Sequence, residues 1–256
     1  MKYTHNYLTA LAILMLITVA SCKKTKEFET LTTKPMYEYY PMKVGKFIQY
    51  KGDSIYYNDV TGVVVRDTVK FDLREEFEAV YAGPDSIFGD YRIYVKIRYL
   101  GDSTWINQHT WYAQLDKNYL TKTEENLRFL KLNFPLKLGK TWNGNVYITE
   151  PDIDDPNQDN LDLNQFYDDW EYKIETINIP ETINTLPFDS VMKVVEIEDS
   201  NKLEFKNVYS KYAANVGLVE RKFEYLLTQQ TAPSVLPFWR RAENGFTTTI
   251  KITSYN

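Results

Sequence analysis

The sequence is poor in the residues that most often carry covalent chemistry or metals. It holds 1 cysteine, Cys22, and 2 histidines, His5 and His109, among 256 residues. A single thiol excludes an internal disulfide, so stability must come from a packed core and not from cross-links. Zinc lacks its usual Cys and His ligand sets. No G-x-S-x-G segment is present, and a serine triad would have to use His109, which stands between Trp105 and Trp111 and reads as a packed or loop histidine. No catalytic residue is assigned. Charge of neither sign dominates: 30 Lys and Arg face 35 Asp and Glu, for a net charge of -5, which argues against a nucleic-acid surface. No apolar run is long enough to cross a bilayer as a helix. The longest covers residues 8–19, broken only by Thr9 and Thr18, where a span needs about 20 residues.

That short run lies behind Lys2 and leads into Val19-Ala20-Ser21-Cys22. A basic start, a short apolar core and small residues before a cleavage point make a secretory signal, residues 1–21. The last four residues resemble the lipobox of bacterial lipoproteins. That resemblance implies cleavage before Cys22 and acylation of its thiol, so the membrane becomes a partner through an N-terminal lipid (palmitate among the acyl chains). Removing residues 1–21 leaves 235 residues and, with Lys2 gone, a net charge of about -6. Residues 22–35 are polar without a period and read as the lipidated start and a flexible tether. Surface-exported Bacteroidota lipoproteins carry an acidic run after the cysteine. Lys23, Lys24, Thr25 and Lys26 stand there instead, which favours the periplasmic face of the outer membrane over the cell surface.

From residue 36 onward the chain reads as one β-rich domain, 36–256, with an internal division near 132 as an alternative. Aromatics make up 15% of the chain, with 21 tyrosines. Aromatic rings pack well on pleated surfaces and lose rotamer freedom in helices. Tyr91, Ile93, Val95, Ile97 and Tyr99 alternate with polar residues and predict the cleanest half-buried strand. Lys51-Gly52-Asp53, Asn58-Asp59 and Asn215-Val216-Gly217 read as turns, Pro180 and Pro187 as brackets of a loop, and residues 120–125 as polar turn material. Some ten to fourteen short strands without αβ alternation predict an all-β fold: a predominantly antiparallel, curled sheet, as a half-barrel or sandwich.

One pattern occurs twice. Tyr40-Pro41-Met42-Lys43-Val44-Gly45-Lys46 matches Phe134-Pro135-Leu136-Lys137-Leu138-Gly139-Lys140 at an offset of 94. Proline fixes the approach, the apolar pair buries, and glycine permits the reversal. Either a β unit is duplicated, or one turn-and-strand solution serves twice inside a single sheet; the second reading is preferred. The stretches YYPMKVGKFIQY, LNFPLKLGKTWNGN and KYAANVGLVERKFE together resemble a group of uncharacterised Bacteroidota lipoproteins that close on a "GVGLV" strand, with Asn215 here in place of the first glycine. A more distant similarity is to periplasmic proteins with a long antiparallel sheet wrapped as a half-barrel. The resemblance implies a fold and an envelope location and carries no catalytic residues.

Two sets of residues are candidates for binding. Asp155, Asn157 and Asp159 have the one-apart spacing of a calcium loop, but Asn160 stands where that loop needs glycine and Phe166 where it needs glutamate. A solvated polar loop is the preferred reading of the segment, with Ca2+ binding as the alternative; no other cofactor is expected. Trp105, Trp111, Trp142, Trp170 and Trp239 could stack on sugars or grip a lipid or peptide, although each also suits a core. The expectation is a membrane-anchored lipoprotein whose β domain binds a protein, peptide, lipid or glycan, or builds the envelope, without catalysis. The alternatives are a carboxylate-dependent glycan hydrolase and a calcium-stabilised adhesion protein.

Overall fold

The computed structural model describes residues 36–60, 63–81, 89–148, 166–168, 170–230 and 235–256. Cys22 and the calcium-like trio Asp155, Asn157 and Asp159 lie outside these. A 3-10 turn, Tyr37–Tyr39, precedes twelve strands. They are β1 (Phe47–Val60), β2 (Val63–Tyr81), β3 (Asp90–Tyr99), β4 (Ile106–Leu115), β5 (Tyr119–Glu124) and β6 (Leu127–Asn133), then β7 (Thr141–Asn143), β8 (Glu171–Ile183), β9 (Leu186–Ser200), β10 (Glu204–Ala213), β11 (Gly217–Leu227) and β12 (Asn244–Tyr255). A short helix α1 (Phe238–Arg241) sits between β11 and β12.

All twelve strands form one antiparallel sheet in the order β6-β5-β4-β3-β2-β1-β12-β11-β10-β9-β8-β7. Every neighbour in space is a neighbour in sequence except the first and last strands, which pair from Ile48↔Tyr255 to Tyr57↔Gly245. The two ends of the sheet, β6 and β7, then face each other. Leu130 N–H donates to the Gly144 carbonyl at 2.7 Å, and the Trp142 indole N–H donates to the Leu130 carbonyl at 2.9 Å. The result is an up-and-down barrel, nearly closed, with one open seam. Closure of this kind removes most of the exposed edge that a twelve-stranded sheet would otherwise present.

The alternation on β3 holds: Tyr91, Ile93, Val95 and Ile97 are buried, and only Tyr99 at the strand end is exposed. Several strands are longer than their local sequence suggests. Lys51-Gly52-Asp53 is not a turn. Gly52 lies opposite Phe71 in the ladder, and the Phe71 ring covers the space a side chain would fill, so β1 runs through. Pro180 is inside β8 at a register shift between Ile179 and Glu181, where a missing N–H is tolerated, and Pro187 is inside β9. The reversal between them is at Asn184, with φ 57°. The turn at Asn215-Val216-Gly217 is as read, with Asn215 at φ 65° and Gly217 at φ 104°.

The repeated motif is one local structure used twice. Gly45 N–H bonds to the Phe77 carbonyl at 2.8 Å and Phe77 N–H to the Lys46 carbonyl at 2.9 Å. In the second copy Gly139 N–H bonds to the Ile174 carbonyl at 2.9 Å and Ile174 N–H to the Lys140 carbonyl at 3.0 Å. Both glycines have positive φ, 84° and 76°, a conformation that favours glycine. Each copy opens a six-stranded meander, β1–β6 or β7–β12.

Candidate functional site

Alternation should give the barrel an apolar interior, and Ile48, Tyr50, Phe77, Ile93, Leu120, Leu132, Ile174, Val208 and Val219 supply much of it. Six charged side chains break the pattern. Glu75 comes from β2, Lys122 and Glu124 from β5, Lys131 from β6, Glu196 from β9 and Arg221 from β11. All but Arg221 are buried residues, and the Arg221 side chain is 20% exposed. Burial of this kind is costly unless each charge is paired.

The ion pairing is continuous, while the Lys131 Nζ and Arg221 Nε atoms are buried without a hydrogen-bond partner among the described residues. Lys122 Nζ lies 2.8 Å from Glu75 and 3.2 Å from Glu124. Lys131 Nζ lies 3.3 Å from Glu124 and 3.8 Å from Glu196. Arg221 reaches Glu124 at 3.1 Å and Glu196 at 3.3 Å. Tyr172 donates its hydroxyl to Glu196 at 3.1 Å, and Ser210 donates to the other Glu196 oxygen at 2.5 Å. Three cations balance three anions. The chain of contacts starts on the first meander, at β2, β5 and β6, and ends on the second, at β9 and β11.

This arrangement fixes protonation. Burial pushes the Glu124 carboxyl up, but Lys131, Lys122 and Arg221 outweigh it and hold it well below the usual carboxylate range. Burial likewise acts on Glu196, and Arg221 and Lys131 with the Ser210 hydrogen bond overcome it, leaving its pKa lowered. Burial and the neighbouring Arg221 lower the Lys131 amine against the pull of Glu124 and Glu196. A glycosidase acid needs the reverse, a carboxyl kept protonated near neutral pH. The shifts of Glu124 and Glu196 run the other way, toward the ionised form. Tyr40, Lys131, Ser210 and Arg221 bound a gap of about 10 Å³, on the order of one water, too small for a sugar ring or an acyl chain.

Rings close the barrel toward the β11–β12 end. Phe166 and Tyr167, in a single helical turn, pack with Trp170. Phe166 lies 4.7 Å from Tyr225, Tyr167 lies 5.4 Å from Phe129 and Trp170 lies 5.8 Å from Phe223. Phe223 stacks on Phe246 at 5.2 Å. The opposite end is capped by Tyr39 and Tyr40, both buried. There Tyr37 donates to the Lys117 carbonyl at 2.8 Å, and Asn215 N–H donates to the Glu38 carbonyl at 2.6 Å.

The five tryptophans are dispersed. Trp142 and Trp170 are buried, and the Trp170 indole donates to the Phe166 carbonyl at 3.0 Å. Trp111 is half-buried under the Lys122 amine, 4.3 Å from the ring centre, and stacks on His109. His109 Nδ1 lies 2.9 Å from Glu125. Trp105 sits beneath Arg98 at 4.8 Å, and Trp239 is exposed on α1. The charged network was not foreseen from sequence. Residues 120–124 lie in strand β5 and only Glu125 is in the turn, because Lys122 and Glu124 point inward to partners up to 97 positions away. The available signal was opposite charges on alternate positions beside Leu120, followed by Lys131 inside Phe129-Leu130-Lys131-Leu132.

No protein-family model matches the chain, and no curated protein matches its sequence. Among solved structures the chain is similar to an exported protein with a YmcC-like fold from Bacteroides fragilis, at 11% identity and a TM-score of 0.39, covering 84% of this chain and 98% of that one. It is also similar to a DUF1329 family protein from Desulfovibrio piger, at 10% identity and a TM-score of 0.18, covering 81% of this chain and 85% of the other.

Proposed function

We propose that this chain is a lipid-anchored protein of the bacterial cell envelope whose β domain works by binding or by building structure, without catalysis. The observation that carries the second half is the filled lumen. Its clustered carboxylates are each salt-bridged, with Glu124 and Glu196 held ionised, and the gap beside them is on the order of one water. Among the described residues, the outer surface and the two rims are where a partner would meet the barrel. The first half rests on Val19-Ala20-Ser21-Cys22 behind a short apolar run, and on the periplasmic side of the outer membrane as the favoured location.

Metabolic labelling with palmitate tests the anchor. The unaltered chain takes up label and fractionates with membranes, and Cys22→Ser abolishes both. Label that fails to enter, or that enters Cys22→Ser equally, ends the reading.

A further inference from the structure

The two copies of the repeated motif share more than their hydrogen bonds. Each leaves the same three residues exposed: Lys43-Val44-Gly45 and Lys137-Leu138-Gly139. Val44 is 50% exposed and Leu138 66%, while the apolar partner two positions earlier turns inward in both copies, with Leu136 buried and Met42 half-buried. An apolar residue displayed beside a lysine at one turn is unremarkable. The same display at both turns places two apolar knobs in a defined geometry.

That geometry follows from topology. Neighbouring strands alternate in direction around the meander, so β1 and β7 run the same way and begin at the same end of the barrel. Five strands lie between them in either direction around the ring of twelve, which puts the two turns on opposite sides of one rim. Lys117, in the turn between β4 and β5, is exposed on this rim as well. Among the described residues this rim carries acids as well: Asp116 accepts the N–H groups of Asn118 and Tyr119 at 2.6 and 2.7 Å, Glu38 is half-buried, and Asp189, beside the β8–β9 reversal, is exposed. Beside the first knob, Pro41, Lys43, Val44, Lys46, Asn215 and Asn256 frame an open recess of about 270 Å³. The chain leaves the barrel at this end, at Met36, fourteen residues from Cys22, a reach of at most ~50 Å.

We propose that this rim rests on an anionic lipid surface, with Val44 and Leu138 entering the headgroup layer and Lys43, Lys117 and Lys137 meeting lipid phosphates. Two knobs and a tether fix the barrel axis relative to the bilayer, and the aromatic-plugged end points away from it. Basic residues close to an anionic leaflet and apolar side chains at the acyl boundary are the forces that hold peripheral proteins. The proposal rests on the lipid-anchored reading, because the tether brings this rim to a membrane.

Flotation of the acyl-free mature chain, Cys22→Ser over residues 22–256, tests it with vesicles of phosphatidylglycerol and phosphatidylcholine against vesicles of phosphatidylcholine alone. The chain is expected to float with the anionic vesicles at least tenfold more than with neutral ones. The double variant Val44→Asp/Leu138→Asp is expected to lose at least tenfold of that binding while melting at the parent temperature, since both side chains are exposed. Should that variant misfold, Lys43→Gln/Lys137→Gln gives the same readout with smaller change. A parent chain that ignores anionic vesicles, or folded variants that float as well as the parent, overturns the proposal. Palmitate uptake is read separately on the unaltered chain, so loss of the anchor and loss of the rim contact are distinguishable.

Discussion

Lys46 and Lys140, 94 residues apart, each turn back to the carbonyl of the proline five positions earlier: Pro41 at 2.7 Å and Pro135 at 3.2 Å. The two lysines differ in what else they hold. Lys46 is buried and also donates to the Val216 carbonyl at 2.6 Å, which ties the first turn to the loop before β11. Lys140 is less enclosed and bonds to Asn133. Lys46→Met leaves the buried Val216 carbonyl and the part-buried Pro41 carbonyl without this donor and is expected to cost about 2–4 kcal/mol, with roughly 1–3 for the buried group and less for the other. Lys140→Met should cost about 1 kcal/mol, because water can replace its amine. Urea midpoints of the two variants check the ranking; equal losses would contradict it.

Glu196 accepts from Arg221, Tyr172 and Ser210 in the lumen and forms an ion pair with Lys131 at 3.8 Å. Glu196→Ala leaves Lys131 and Arg221 to share Glu124 and should cost at most about 3–5 kcal/mol. Replacing the whole set is a different experiment. Glu196→Leu together with Arg221→Met removes a charge of each sign, and a buried pair exchanged for apolar groups is often near neutral. The double variant is therefore expected to be more stable than Glu196→Ala, with a coupling visible in a double-mutant cycle.

The same carboxylates set the acid limit. Glu124 and Glu196 have folded pKa values below the ordinary 4.5, so the unfolded chain binds more protons in that window. Their stabilisation is fully present above 4.5 and is lost as pH falls through the folded values. Lys46 acts at the other end of the scale. Burial lowers its amine from 10.5 to about 8, with Glu75 pulling it back up. The unfolded chain again binds more protons between those values, so this group makes stability rise with pH from about 8. Unfolding free energy measured from pH 3 to 9 should show a steep acid limb, flattened in Glu196→Gln. The rise above about 8 should be smaller in Lys46→Met, with the lowered Lys131 amine keeping part of it.

Much of the fold was legible because half-buried strands announce themselves. On β3, Ile93, Val95 and Ile97 alternate with Tyr94, Lys96 and Arg98, and the antiparallel curled sheet follows from many such segments with close turns. Asn215 and Gly217 marked a true reversal through their tolerance of positive φ. The candidate site was illegible for a complementary reason. Lys122, Glu124 and Lys131 look solvated in one dimension, and only the partners Glu75, Glu196 and Arg221, brought from distant strands, make their burial affordable. The near-closed barrel was beyond local pattern too, since the seam depends on Leu130 meeting Gly144. Proline and glycine misled where a cross-strand neighbour compensates, as at Pro180 and Gly52.

Gly52 offers a direct test of that compensation. Its backbone is ordinary strand, so the sequence position alone permits any residue. A Cβ there would lie 2.3 Å from two atoms of the Phe71 ring, which must move. Phe71 is directly opposite in the β1–β2 ladder and half-buried, covering the gap that glycine leaves in the pleated surface. Gly52→Ala should therefore destabilise by about 1–3 kcal/mol through overpacking, although alanine is normally the better strand residue. Phe71→Leu alone should also destabilise, by exposing the Gly52 backbone. In combination the two changes should be less costly than their sum, because leucine vacates the space that alanine claims. Thermal unfolding of both single variants and the double variant settles the matter: strict additivity would mean that the ring and the glycine do not depend on each other.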